Sequence, residues 1–346
     1  MNTPLDILCR TLPSDLAQRQ SLFGFRLPIV PIQHRRFSEG LCRIAELHHS
    51  RQRFGSGGGV LITGPSGAGK TLLVSSYASQ FAHETTLTGT RIPVLRLTVP
   101  SSPTAKSLSE TILIALGYPK AHRGSGPQKT ALILEFFDRC GLELMILDEV
   151  HHLFYASTIQ YFRDVTDWLK NLISIANVAV VACGLPEAIA VVEANEQLAR
   201  RFSARYALTP LGMASDADFR EFRSVLKLFG EELPLPMATP LHEANMARRM
   251  HVASYGLLDY VRKVLEGAVS VAASVGDNEI GLDALAAAFR NCVCGTVPDR
   301  LNPFHPDSYL RPLDRPGEVF YLHTSQDLVG SVVAKRVSLN AAKVRP

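Results

Sequence analysis

Val60-Leu61-Ile62-Thr63-Gly64-Pro65-Ser66-Gly67-Ala68-Gly69-Lys70-Thr71 is the stretch on which the reading of this chain turns. The first four residues form a short buried-strand run. The next eight match G-x-x-x-x-G-K-[ST] at every fixed position, and Leu72 to Phe81 reads as a helix. Strand, loop and helix in that order are the context that gives the motif its chemistry. Glycines let the backbone wrap tightly and aim its N–H groups at phosphate oxygens. The loop opens a helix, whose N-terminus favours anions. Gly64 to Gly69 would cradle the phosphates, Lys70 would reach the β- and γ-phosphates, and Thr71 would ligate Mg²⁺. The preceding Gly55-Ser56-Gly57-Gly58-Gly59 reads as a flexible linker.

A second run, Leu142-Glu143-Leu144-Met145-Ile146-Leu147-Asp148-Glu149, reads as a buried strand that delivers two acids to its C-terminal edge. Ligands of open α/β sheets bind at that edge. Asp148 would hold Mg²⁺ through water, and Glu149 would polarise the attacking water. His151 and His152 follow. Adjacent side chains diverge, so they make a poor metal pair and read as loop or helix-start residues, with coupling to the site as the alternative.

A third strand, Asn177 to Cys183, ends in Cys183-Gly184-Leu185-Pro186, which makes Cys183 a candidate γ-phosphate sensor. Asn195 to Phe202 reads as a short helix ending in Arg200-Arg201-Phe202, followed by the strand Tyr206-Ala207-Leu208. An arginine finger is expected there, Arg201 ahead of Arg200, entering a neighbouring subunit's site. A finger in trans needs a head-to-tail interface, which generates a ring or a helical filament. In Tyr255 to Lys263, Arg262 is the candidate second sensor; a solvated helix face is the plainer reading.

The 346 residues are 46% hydrophobic and 20% charged, which suits a folded chain of about two domains and excludes a mainly disordered one. No apolar run reaches the roughly 18 residues of a membrane span, and no signal peptide is evident. Six scattered cysteines fit reduced thiols in a cytoplasmic protein. Four segments are expected: a basic extension over 1–53 with a helix from Phe37 to Arg51, an α/β core over 54–212, a helical lid over 213–295 and a tail over 296–346. The core alternates short β-branched runs with amphipathic ones, including a helix over 157–175 striped with Ile159, Phe162, Val165, Leu169, Leu172 and Ile173. The net charge of +4 is concentrated. Arg10, Arg19, Arg26, Arg35, Arg36, Arg43, Arg51 and Arg53 crowd the first segment, and Lys335, Arg336, Lys343 and Arg345 the end. Between 91 and 130, Arg91, Arg96, Lys106, Lys120, Arg123 and Lys129 face one acid, Glu110. Lys106, Lys120, Arg123 and Lys129 are the candidate contacts to a nucleic-acid backbone, a sequence-independent and salt-sensitive mode of binding. No helix-turn-helix or zinc-finger pattern offers base readout.

These motifs together resemble an AAA+ P-loop ATPase: a parallel α/β core followed by a helical lid. More narrowly, the chain resembles the TniB/TnsC-type transposition ATPases. Leu27-Pro28-Ile29-Val30-Pro31 before the core carries that resemblance, with Pro100 to Thr104, Ile112 to Pro119, Asp148-Glu149-Val150-His151-His152-Leu153 and Leu301-Asn302-Pro303-Phe304. It spans roughly 25 to 305. The chain departs from the wider pattern at Cys183, where Asn or Thr is usual, and at Asp259, which takes the usual place of the second sensor's Arg. Both departures concern nucleotide sensing rather than binding. The resemblance implies an ATP- and Mg²⁺-dependent homo-oligomer, a ring or filament, on double-stranded DNA. It also implies that the assembly recruits a transposase, answers to a target-selector protein, and disassembles on hydrolysis, with no membrane partner. A related AAA+ ATPase of a secretion system and an ATP-gated signalling scaffold are the competing readings.

Overall fold

In the computed structural model, residues 22–321 are described, apart from 30, 56, 87–88 and 156–158. The basic side chains of Arg10, Arg19, Lys335, Arg336, Lys343 and Arg345 lie outside that range. The described chain forms two compact units. One comprises 35–209; the other comprises 22–34 with 210–321.

The α/β unit opens with α1 (Arg35–Phe54), which leads to β1 (Gly59–Thr63), the phosphate loop and α2 (Lys70–Ala78). A small antiparallel ribbon, β2 (Glu84–Thr86) with β3 (Gly89–Arg91), precedes β4 (Val94–Thr98), α3 (Ala105–Ala115) and α4 (Gly126–Arg139). Then come β5 (Leu144–Asp148), a 3₁₀ turn (Val150–Tyr155), α5 (Ile159–Ala176) and β6 (Ala179–Gly184). The unit ends with α6 (Ala188–Glu193), α7 (Glu196–Arg201) and β7 (Ala204–Ala207). The main sheet runs β4-β5-β6-β1-β7, every pair parallel. Strands β1, β5 and β6 are buried along their whole lengths, which is why each reads as an unbroken apolar run rather than an alternating one. Helices cover both faces. Val165, Leu169, Leu172 and Ile173 of α5 are buried in the core under one face, with Phe162 and Trp168 packed at its border. Ile44 of α1 and Leu73 and Val74 of α2 join the core under the other.

The expected linker is instead part of the scaffold. Gly59 is the first residue of β1, and Gly57 donates its N–H to Asn177 Oδ1 at 2.9 Å. A Cβ on Gly57 would stand 2.3 Å from the Val178 carbonyl oxygen, so only glycine fits. A close backbone approach, not freedom of motion, explains that glycine.

The second unit is helical: α8 (Asp216–Glu231), α9 (Ala244–Ser254), α10 (Leu258–Val275) and α11 (Leu282–Cys292). It is larger than the expected lid at both ends. Residues 22–34 join it through Glu266, buried on α10, which accepts from Leu27 N–H at 3.0 Å. Residues 296–321, expected as a tail, also pack into it. Asn302 is buried, donates to Ala286 O at 2.9 Å and accepts from Phe304 N–H at 3.1 Å. Phe304, Leu313 and Phe320 are buried, and Phe320 stacks on Tyr255. Irregular backbone with isolated apolar anchors has no period for sequence reading to find.

His251 of α9 is held against Phe222 and donates Nε2–H to the Leu211 carbonyl at 2.9 Å. Burial lowers its pKa below the usual histidine value. A folded pKa below the unfolded one means that the unfolded chain binds the proton first. His251 therefore costs stability as pH falls through the unfolded value near about 6.5. Urea midpoints between neutral pH and pH 5 should fall more steeply for the wild type than for His251→Gln; parallel slopes would show that this ring does not contribute.

Candidate functional site

The loop between β1 and α2 takes its shape from its glycines. Gly69 precedes α2 with φ of 91° and supplies no side-chain cap, so the first N–H groups of α2 stay available to a ligand. Lys70 is buried, and its ammonium donates to the carbonyls of Gly64 (2.8 Å) and Pro65 (2.9 Å). Burial lowers its pKa, while the nearby Glu149 and Asp148 oppose that shift. Ser66 and Thr71 are exposed at the mouth of the loop. Main-chain donors around one buried ammonium fit a polyphosphate. A threonine hydroxyl and the carboxylate at the end of β5 fit a hard divalent cation, which prefers oxygen ligands.

Asp148 ends β5 and is 1% exposed. Its Oδ2 accepts from Arg96 Nη2 at 3.2 Å, and its Oδ1 accepts from the Glu149 N–H at 3.0 Å. Arg96 reaches it from the neighbouring strand β4, whose Thr98 is paired with Asp148. Glu149 has φ of 59°, the left-handed region that a non-glycine residue enters at a cost. Its carboxylate lies 3.2 Å from His151 Nε2. The His151 ring in turn accepts the Leu185 N–H on Nδ1 at 3.3 Å. His152 donates Nδ1–H to the Val99 carbonyl at 3.0 Å. The two histidines thus tie the turn after β5 to the ends of both flanking strands. Glu149, His151 and His152 place ligand-type atoms within 4.8 Å of one another, and the 3.2 Å contact between His151 and Glu149 accounts for part of that clustering.

The structure corrects several sequence expectations. Cys183 is fully buried, and burial pushes its thiol pKa up. A neutral thiol is a weak donor, so the hydrogen-bonding group at this strand end is the Leu185 N–H. Arg201, the first choice for a finger, turns inward and donates Nη2–H to Val178 O at 2.9 Å, beside Gly57. Arg200 is the exposed member of the pair, its side chain 78% accessible and paired with Glu196 one helical turn away. Of the two, Arg200 and not Arg201 is the side chain at the surface. Lys129 is 1% exposed and donates to Glu110 Oε1 (2.5 Å) and Ala121 O (2.7 Å), which removes it from the candidate DNA contacts. Arg91 pairs with Glu143, and Arg96 with Asp148. Lys106, on α3, and Lys120 and Arg123, on the loop before α4, remain exposed. Arg262 belongs to the helical unit, between Asp259 (3.7 Å) and Glu266 (3.8 Å). Arg96 and the Leu185 N–H were missed as site groups. A lone basic residue within a strand was a signal for the first; a backbone donor leaves none.

The family model described as bacterial TniB protein matches residues 31–209, from the start of α1 to the end of the sheet. The chain belongs to the TniB family. No curated protein matches this TniB chain. Among solved structures it is similar to the Aeropyrum pernix ORC2 protein in its ADPNP–ADP complexes, with a TM-score of 0.57 and 15% identity over 81% of this chain and 73% of that one. It is also similar to the Aeropyrum pernix ORC1 protein in complex with DNA (TM-score 0.56, 18% identity, 80% and 69% covered). A third similar structure is Cdc6p from Pyrobaculum aerophilum (TM-score 0.55, 13% identity, 82% and 73% covered). At such identities the likeness is one of fold, and the fold of this TniB chain is that of the AAA+ P-loop ATPases.

Lys129 and Arg201 are structural cations. Arg201→Ala should cost about 1–3 kcal/mol by stranding a buried carbonyl. Arg200→Ala should leave the melting temperature within about 1 °C, as surface changes do. Thermal unfolding of the two variants separates these roles.

Proposed function

We propose that this TniB protein is an ATPase whose nucleotide cycle regulates DNA transposition. The observation that carries the proposal is the meeting of Lys70, Asp148 and Glu149 at the carboxyl edge of one parallel sheet in a TniB family chain. Main-chain N–H groups of Gly67 to Lys70 and the Lys70 ammonium would bind the triphosphate. Thr71 and Asp148 would hold Mg²⁺, which supplies charge neutralisation at the phosphates when bound. Asp148 keeps acceptor capacity for it, because a carboxylate offers about four lone-pair sites and only two are in use here. Glu149, one-third exposed, would accept the proton of the attacking water.

DNA is the partner that the surviving cations favour. Lys106, Lys120 and Arg123 are exposed and can meet backbone phosphates without reading bases. The ORC1 structure of similar fold is a complex with DNA, which supports the same direction. Arg200 is the exposed guanidinium available to a neighbouring subunit, so assembly on duplex DNA would complete the site. A transposase and a target selector are the partners that the family context suggests.

Lys70→Ala should abolish ATP binding measured by calorimetry. Glu149→Gln should bind ATP normally and hydrolyse it at least about a hundredfold more slowly. Electron microscopy with duplex DNA should show Glu149→Gln retained on DNA as rings or filaments in ATP. A wild-type protein that binds and hydrolyses ATP but never associates with DNA would refute the transposition reading and leave the ATPase reading standing. Lys120→Ala and Arg123→Ala should each weaken DNA retention and flatten its salt dependence, and Lys129→Met should not. Equal losses for all three would restore Lys129 as a contact.

A further inference from the structure

Strand β6 lies between β1, which leads into the phosphate loop, and β5, which delivers Asp148 and Glu149. The end of β6 is thus the place from which a bound nucleotide could act on the general base, yet its side chain, Cys183, is a buried thiol. We infer that His151 takes that part: it is the positioning residue that fixes the Glu149 carboxylate to the end of β6 through the Leu185 N–H. The inference rests on the reading of Glu149 as the base.

The hydrogen-bond chemistry fixes the direction of the link. A main-chain N–H can only donate, so His151 Nδ1, 3.3 Å from Leu185 N, is the nitrogen that carries the lone pair. The neutral ring then bears its proton on Nε2, the nitrogen that stands 3.2 Å from Glu149 Oε2. The ring is 5% exposed, and the turn closes tightly around it: a Cβ on Gly184 would lie 3.1 Å from His151 N and 3.4 Å from Nδ1. The neighbouring His152 ring is 4.6 Å away, centroid to centroid, and is held by Val99 O. Among the described residues, the titratable groups facing the ring include Glu149, Glu187, His152 and Lys70. Leu185 follows β6 directly, so a displacement of that strand end moves the acceptor side of the ring and, through Nε2, the carboxylate. Glu149 enters the turn with φ of 59°, which turns its carboxylate away from the β5 axis and within reach of this ring. His151 touches neither phosphate nor water in this scheme, and its effect on the reaction passes through Glu149.

Two substitutions separate the halves of the link in the full-length chain. In His151→Asn, the side-chain oxygen can still accept the Leu185 N–H, but the side chain is too short to donate to Glu149. In His151→Gln, the amide nitrogen reaches the Nε2 position and can donate. Steady-state ATP hydrolysis with duplex DNA, affinity for a non-hydrolysable ATP analogue, and thermal unfolding are measured for each. His151→Asn should lower kcat about ten- to a hundredfold, the scale of a misplaced reacting group, with analogue affinity and melting temperature near wild type. His151→Gln should recover most of the rate. In a Glu149→Gln background, His151→Asn should have no further effect, because the group it positions is gone. The inference is overturned if His151→Asn turns over at the wild-type rate, or if His151→Gln is no better than His151→Asn while both remain folded. A wild-type chain that binds the analogue but hydrolyses no ATP would overturn the ATPase reading itself, an outcome distinct from either of these.

Discussion

A carboxylate sealed at the end of a fully buried strand sets the terms for the α/β unit. A charge at that buried position needs partners, since an unpaired buried charge costs several kcal/mol. Three groups supply that compensation from three places in the chain. Arg96 comes from β4, the Lys70 ammonium lies nearby at the start of α2, and the Glu149 N–H folds back on the Asp148 side chain. The last of these has a geometric consequence. The left-handed turn that brings the Glu149 N–H onto Asp148 also sends the Glu149 side chain out of line with the strand, toward His151. Charge compensation at Asp148 and placement of the Glu149 carboxylate are therefore the same event in the backbone.

The parts legible in the sequence were those in which one local segment carries both structure and chemistry. The strand, loop and helix around Lys70 announce themselves because glycine, lysine and threonine spacing is local. The β5 strand does so because a strand buried on both faces must be continuously apolar. The pairings that decide the fate of each cation were not legible. Arg96, Lys129 and Arg201 look no different in the sequence from Lys106, Lys120, Arg123 and Arg200, and the first two counted in the same basic patch. Only the fold shows that the first three meet Asp148, Glu110 and the Val178 carbonyl. His151 illustrates the same limit from the other side. Its partner is a backbone N–H thirty-four residues away, brought near because β5 and β6 are neighbours in the sheet. The helical unit was legible as helices. Its cap was not, because Asn302, Phe304, Leu313 and Phe320 anchor irregular chain without a repeat.

The pairing of cations also changes what the net charge means. As a total, +4 says little; resolved along the chain, six cations against one acid between 91 and 130 made that stretch the candidate nucleic-acid contact. With Arg96 and Lys129 committed to internal acids and Arg91, though exposed, paired with Glu143, the candidate contacts that remain there are Lys106, Lys120 and Arg123. If those three meet phosphates as proposed, three contacts per subunit would give weak, salt-dependent binding. Joined through a repeating interface, the same contacts would add along one duplex, and avidity could then exceed the single-site affinity by orders of magnitude without any new contact. If Arg200 completes a neighbour's site, the interface that supplies this avidity is also the one that licenses hydrolysis. Occupancy of DNA and the clock that ends it would then depend on the same contact. A chain with weak intrinsic DNA affinity suits that arrangement, because a subunit that held DNA tightly alone would not be released when the assembly came apart.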